Sequence, residues 1–426
     1  MAHSDSRVRL SLSLKIAYLY LLLLAIAGVF RYYMGALGLL PLGYIGNGLV
    51  VVAVIYQICK KAVSSRFGKA EVWTLVLIGA AALIGVATGQ KIEAIAFGVY
   101  IITPLILGVF VSREMIANAT SLRRFCLAVW VCSLIGVTWD YFSPAPWAGF
   151  SFDVGSIQVA TSREWSFEGA RRVAGFAKTS FDAGGFLLIG AIGTISLRRP
   201  SIWNCLVWIL TFIGLSFTTT KGLLLVYFVN TLIWFFSRTK FRGWLKLVPW
   251  GAAIITVCLP LSTFVYQYTM VKNDGVMASL FSSFFVRLTS TWPDAWDLLA
   301  SNGSSVFGTG IGGIGTPLMM FDPMGYNSAD NLFVYLFFLF GVFSFILLYV
   351  FCIQSSRDAS KIGKYSVPTF RFQVAITTLV YGMTTNVVEL GALCLFLGVL
   401  FEQYLSSGRN TLRSDGFSTR IGKINA

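Results

Sequence analysis

Histidine is almost absent from this chain. The one present, His3, stands in a polar N-terminal stretch, so no histidine in the body of the protein serves as a base, proton shuttle or metal ligand. Carboxylates are scarce too, 18 against 33 lysines and arginines, and charged residues make up only 12% of the chain. No D-x-D or comparable pair occurs in the long polar segments to hold Mg²⁺ or Mn²⁺. The cysteines, Cys59, Cys126, Cys132, Cys205, Cys258, Cys352 and Cys394, have no C-x-x-C spacing and fall in or beside apolar runs. Neither a disulfide framework nor a thiolate metal site is indicated, and no cofactor is expected.

What is abundant is apolar. Hydrophobic residues reach 56% and mean hydropathy is +0.75, which no soluble domain of 426 residues tolerates. The chain therefore reads as an all-α polytopic membrane protein. Its net charge of +15 does not point to nucleic acid, because the cations lie in short clusters between apolar runs. Runs able to cross about 30 Å of hydrocarbon fall near 12–30, 37–58, 72–88, 93–112, 124–142, 181–197, 201–218, 221–236, 247–268, 331–354, 371–387 and 389–405. They predict about twelve helices in one transmembrane domain, 1–426, with a polar cytoplasmic tail, 406–426. Leu12–Phe30 is long for a cleavable signal and reads as the first span.

Charge gives an independent test. With the N-terminus inside, every inner loop carries at least two cations, and only Arg31, Lys91, Arg163, Arg171, Arg172, Lys178, Lys221, Lys272 and Arg287 are left outside. Both termini are then cytoplasmic. Of the twelve carboxylates that the same topology leaves outside or at the outer edge, most fall in two long outer segments, 143–180 and 269–330, both rich in aromatics. These are expected to be periplasmic loops forming a lid over an outward-facing cavity. Within them, "FGTGIGGIG" reads as a flexible gate or tight turn. Trp147, Trp165, Trp292 and Trp296 are suited to stacking on sugars or to anchoring at the interface.

An outer arginine costs free energy if it faces lipid, so these cations need partners. Glu164, Glu168, Asp182, Asp294 and Asp297 are available for loop ion pairs. The alternative is convergence on a phosphate or pyrophosphate, which the two-pronged, permanently charged guanidinium suits.

Four stretches then occur in order: "RVAGFAKTSFDAGGFL", "LSFTTTKGLLLVYF", "RLTSTWPDAWDLLASNGSSVFGTGIGGIG" and "YNSADNLFVYLFFLFG". Over about 165–345 the chain resembles the O-antigen ligase and Wzy-type polysaccharide polymerase superfamily. The resemblance implies glycosyl transfer outside the cytoplasmic membrane without metal or nucleotide sugar, from an undecaprenyl-pyrophosphate-linked chain to a hydroxyl of another lipid-linked repeat unit. It makes Arg172, Lys221 and Arg287 the first candidates for binding the pyrophosphate, supported by Arg171 and Lys178. Trp292 and Asn331 are candidates for the substrate cavity, and Asp330 and Arg287 for catalysis.

Two departures from the family pattern matter. The ligase branch has histidine where this chain has Asp330, before Asn331, which favours the polymerase branch. Lys221 stands where the family usually has arginine. Asp330 is placed either to activate the acceptor hydroxyl or to cap the helix that follows, and the two readings are compatible. The competing functions are a lipid-linked-oligosaccharide flippase or transporter and a ligase with a non-histidine base. Flippase, chain-length and export proteins of the same pathway are partners implied by the resemblance alone. Asn386 and Glu389, near an outer membrane edge, either line the cavity or satisfy helix packing, and packing is the expected role.

Overall fold

A computed structural model describes residues 10–154, 157–163, 165–167, 170–197, 201–269, 276–362 and 366–406. Helix α1 (Leu12–Ala25) is capped by the Ser11 hydroxyl, which accepts from the Leu14 N–H. At Ile26 the chain bends by 80° into α2 (Ala27–Ala36). Gly28 permits the bend to dock: its N–H donates to the Phe176 carbonyl at 2.9 Å, and any Cβ there would run into the Ala177 carbonyl. Long helices α3 (Ile45–Ser64), α4 (Lys69–Ala87), α5 (Ile92–Ala117) and α6 (Ala119–Phe142) follow, with short connections. Beyond the first long polar segment come α7 (Ser180–Ser196), α8 (Ile202–Thr218), α9 (Lys221–Phe236) and α10 (Val248–Leu261). The second long segment holds α11 (Val276–Val286), α12 (Trp292–Asn302) and α13 (Thr316–Phe321), and the chain ends in α14 (Leu332–Phe340), α15 (Phe343–Lys361), α16 (Val367–Gly382) and α17 (Gly391–Ser406).

Each of the twelve apolar runs contains a helix, so this is an α-helical, membrane-embedded architecture. Among the described residues, five helical stretches are long and apolar enough to cross a membrane alone, or six with the bent α1 and α2 pair. The count of about twelve expected from hydropathy needs the shorter helices to cross as well. α7 and α8 have 17 residues and α9 and α17 have 16, while the tenth run breaks at Gly341 into α14 and α15.

The interior is assembled through small residues. In lipid the hydrophobic effect does not drive helices together, so close packing and hydrogen bonds must. Gly108 of α5 lies against the Leu395 backbone of α17, Gly398 of α17 against Leu105, and the Ser112 hydroxyl donates to the Val399 carbonyl at 2.8 Å. Gly190 and Gly193 bring α7 onto Trp130 and Cys126 of α6. α7 is buried almost throughout, whereas Leu83, Ile202 and Val63 stay exposed, as a surface in contact with lipid would.

Ion pairs among the described residues divide between two ends of the bundle. At one, Ser11 bonds to Glu114, and ion pairs join Lys61 to Glu71, Arg113 to Glu402 and Arg371 to Asp358. All these residues come from segments that the charge pattern groups on one side. Arg7, Arg9, Arg198, Arg199, Lys272, Lys364 and residues 407–426 lie outside the described residues.

The other end carries the two long segments, and both hold regular elements among the described residues. Residues 143–180 contain two small hairpins, a departure from the all-α expectation. β1 (Ser151–Val154) pairs with β2 (Ile157–Ala160), and β3 (Trp165–Phe167) with β4 (Ala170–Arg172), both antiparallel. In the second segment a π-helical turn, Arg287–Thr291, joins α11 to α12. The Trp296 indole N–H donates to the Pro260 carbonyl at 3.1 Å, tying α12 to α10.

The glycine-rich loop is a buried staple rather than a flexible gate. Thr309 and Gly310 N–H donate to the Phe338 carbonyl, Ile311 N–H to the Ala81 carbonyl, and the Thr88 hydroxyl to the Thr309 carbonyl at 2.7 Å. Gly310, with φ of +74°, lies directly against the backbone of α4 at Gly85, a place no side chain fits.

Candidate functional site

Arg171 and Arg172 are neighbours in sequence but lie on β4, where successive side chains point to opposite faces. Arg171 turns inward to Asp140 at the end of α6, with Nη1 at 2.9 Å from Oδ1 and Nη2 donating to the Asp140 carbonyl. Asp140, 2% exposed, also accepts the N–H groups of Ala145, Ala174 and Gly175. Arg171 is thus consumed in anchoring the segment that leads to α7. Its partner is Asp140, and Glu168, the sequence-based candidate, lies outside the described residues, as do Glu164 and the Trp165 side chain.

Arg172, on the other face, is half-buried with its guanidinium carbon 5.7 Å from the Phe181 ring centroid. Burial lowers its pKa, nearby Tyr381 opposes that shift, and nearby Arg287 adds to it. The two arginines therefore come from different long segments to one place beside Tyr381.

Arg287 opens the π-turn, an irregularity that recurs at functional sites because it re-aims a helical side chain. Its Nη1 donates to the Ser283 carbonyl at 2.7 Å, and Nη2 lies 3.0 Å from Asp330 Oδ2. Nε is buried with no hydrogen-bond partner among the described residues. The turn is pinned by Asn327, whose amide donates to the Thr291 carbonyl at 2.8 Å.

Asp330 does not cap α14. The cap is Asn331, in extended conformation, whose Oδ1 accepts from the N–H of Phe333 at 2.7 Å and of Val334 at 3.1 Å. Its amide donates to the Thr256 and Met383 carbonyls, both at 3.0 Å. With all four contacts internal and 0% exposure, Asn331 is a structural node instead of part of a cavity wall. Asp330 carries the strain instead: it and Ala329 have φ of +44° and +61°, in the left-handed region that disfavours a side chain. That backbone leaves its carboxylate partly exposed and turned to Arg287.

The other candidates divide. Lys221 begins α9 beside the turn in which the Thr220 hydroxyl lies near the Ser180 carbonyl, and the next residue, Gly222, packs on Tyr381 and Thr384. It is thereby placed near Tyr381. Lys178 groups with Arg31 and Arg163, and burial, then these two cations, push its pKa down to about 8.

Trp292 is 0% exposed and packs edge-on to Phe284, so it is core, neither stacking platform nor interface anchor. Trp147 and Trp296 are likewise buried, with their indole N–H groups on the carbonyls of Gly175 and Pro260.

Residues outside the sequence-derived candidates complete the site. Tyr326 is held above its ordinary pKa by burial, Glu389 and Asp330, against Arg163, which places all four around one end of the bundle. Glu389 accepts the N–H and hydroxyl of Thr316, fastening the last glycine of the loop, Gly315, as a packing role implies. Asp140 and Arg31 lie at the ends of apolar runs, and that boundary position is the only sequence signal they give.

No family model and no curated protein matches this chain. The function must be argued from the residues.

Proposed function

We propose that this protein polymerises lipid-linked oligosaccharide repeat units at the outer face of a bacterial inner membrane, transferring a glycan from one pyrophosphate lipid to a hydroxyl of another. The proposal includes crossing by all twelve apolar runs, so that both long segments lie on the periplasmic side. The observation that carries it is that Arg172 and Arg287, one from each segment, both lie near Tyr381, with Arg287 paired to Asp330.

Pyrophosphate is a good leaving group, so the transition state needs positive charge at the departing oxygen more than a proton. Arg172 and Arg287, with Lys221, supply that charge. In the absence of substrate Arg287 is held by Asp330. A phosphate oxygen that engages the Arg287 guanidinium competes with that carboxylate, so donor binding releases Asp330 to act as base. The acceptor hydroxyl oxygen then bonds to the anomeric carbon and its proton passes to Asp330. The bond from that carbon to the phosphate oxygen breaks, and its electron pair leaves with the pyrophosphate lipid.

A partly open groove supports a polyprenyl substrate. Its empty volume is about 870 Å³, and it is lined by Ile311, Leu332, Leu336, Leu339, Phe340, Leu348, Phe351 and other mostly aliphatic side chains. Leu332, at the start of α14, lines this groove two residues along the chain from Asp330.

In a strain deleted for the gene, Arg172→Ala and Arg287→Ala should each abolish polymer while the protein remains inserted. Loss of one preorganised transition-state contact costs about 10²- to 10³-fold in rate. Arg172→Lys should be poor as well, since lysine offers no two-pronged contact. Normal polymer from both alanine variants would refute the clamp.

A further inference from the structure

A second group of cations, Arg31, Arg163 and Lys178, gathers around Asp182. Arg31 lies on α2, one helical turn beyond Gly28, on the face that docks against Phe176 and Ala177, immediately before Lys178. Arg163 reaches the same point from the first long segment, its N–H donating to the Lys178 carbonyl at 2.9 Å. Three separated parts of the chain thus deliver three cations to one place.

Their charges are poorly answered. Arg31 is 8% exposed, yet its Nε and Nη1 have no hydrogen-bond partner among the described residues, and its guanidinium lies 4.6 Å from the Tyr44 ring centroid. Leaving a buried charged donor without a partner is costly, so such a group marks a place completed by something else. The nearby carboxylate, Asp182, accepts from the Thr179 hydroxyl at 2.7 Å and forms no ion pair with these cations among the described residues. Among the described residues, three cations and one carboxylate leave a surplus of positive charge.

We propose that Arg31, Arg163 and Lys178 form a second phosphate-binding site, which holds the pyrophosphate of the acceptor lipid while Arg172 and Arg287 hold that of the donor. This assignment rests on the polymerase reading, in which both substrates carry a pyrophosphate. Phosphate recognition itself follows from the cation cluster. A transferase with a non-phosphorylated acceptor would need only one such site.

The test is equilibrium binding of radiolabelled undecaprenyl pyrophosphate to the full-length protein in nanodiscs. Two equivalents per chain are expected. Arg31→Gln should weaken one of them by at least about tenfold and leave the other, as loss of a charge-assisted contact implies. Arg172→Ala should weaken the other one. Arg163→Gln, at an exposed position, gives the same readout without disturbing the core should Arg31→Gln fail to fold.

A single equivalent in the wild type, or two undiminished equivalents in both Arg31→Gln and Arg163→Gln, overturns the site. If unlabelled inorganic pyrophosphate fills the second site and the lipid does not, the acceptor-lipid assignment is overturned. Binding is read without catalysis, so the two proposals fail separately. Two equivalents with no polymer removes the polymerase reading, and polymer with one equivalent removes the second site.

Discussion

Arg171 and Arg172 should respond oppositely to the same substitution, because β4 sends one into the protein and the other into the site. Arg171→Ala leaves Asp140 buried, with its three backbone N–H donors but no counter-charge. Breaking a buried ion pair from one side costs about 3–5 kcal/mol. The Arg171 side chain is 24% exposed, which places this pair near the lower figure, about 3 kcal/mol. In a chain of this size that is a fall in apparent Tm on the order of 5 °C. The assay is thermal unfolding of purified protein in detergent, set beside polymer formation. Arg172→Ala should hold its Tm and lose polymer. Combining Arg171→Ala with Asp140→Asn should cost less than the sum of the single effects, with a coupling of about 1 kcal/mol or more. Additive losses, or an Arg172→Ala protein less stable than Arg171→Ala, would contradict the division of labour.

Asn331→Ala should destabilise strongly. It removes a helix cap, worth about 0.5–2 kcal/mol, and takes the amide donor from two buried carbonyls, costing about 1–3 kcal/mol each. Asp330→Asn should leave Tm nearly unchanged and stop polymer formation, which immunoblotting and glycan gels separate. Lys178 has a folded pKa pushed down to about 8, below its ordinary value of 10.5. Between these values the unfolded state binds more protons, so stability should rise with pH through that window, and the gain should vanish below pH 8. Lys178 faces Arg31 from α2, Arg163 from its own segment and Asp182 from α7. Lys178→Met should flatten that rise in a pH series of Tm. Gly108→Val should prevent the close approach of α5 to Leu395 and reduce the folded yield on size-exclusion chromatography.

The helices were legible because lipid-facing segments need long apolar runs, which hydropathy reads directly. The bend at Ile26 was not, since only the distant Phe176 carbonyl gives Gly28 its role. Short hairpins also escape a window of spanning length: Phe152, Val154, Ile157 and Val159 alternate over too few residues.

The same limit hid the difference between Arg171 and Arg172, which depends on strand geometry. Sequence left Asp330 as either base or cap, and the backbone at Asp330 and Asn331 decides which residue caps. The large aromatics and the glycine-rich loop were misjudged for a common reason. Trp292, Trp296 and residues 308–315 are polar-segment neighbours in sequence but become core once α12 and α14 pack around them.

The central claim is tested most directly by incubating purified protein in proteoliposomes with one undecaprenyl-pyrophosphate-linked repeat unit and separating the products by size. A ladder of multiples of the repeat, lost with Arg287→Ala, is the result expected. Single units moved intact between leaflets, with no ladder, would contradict the account.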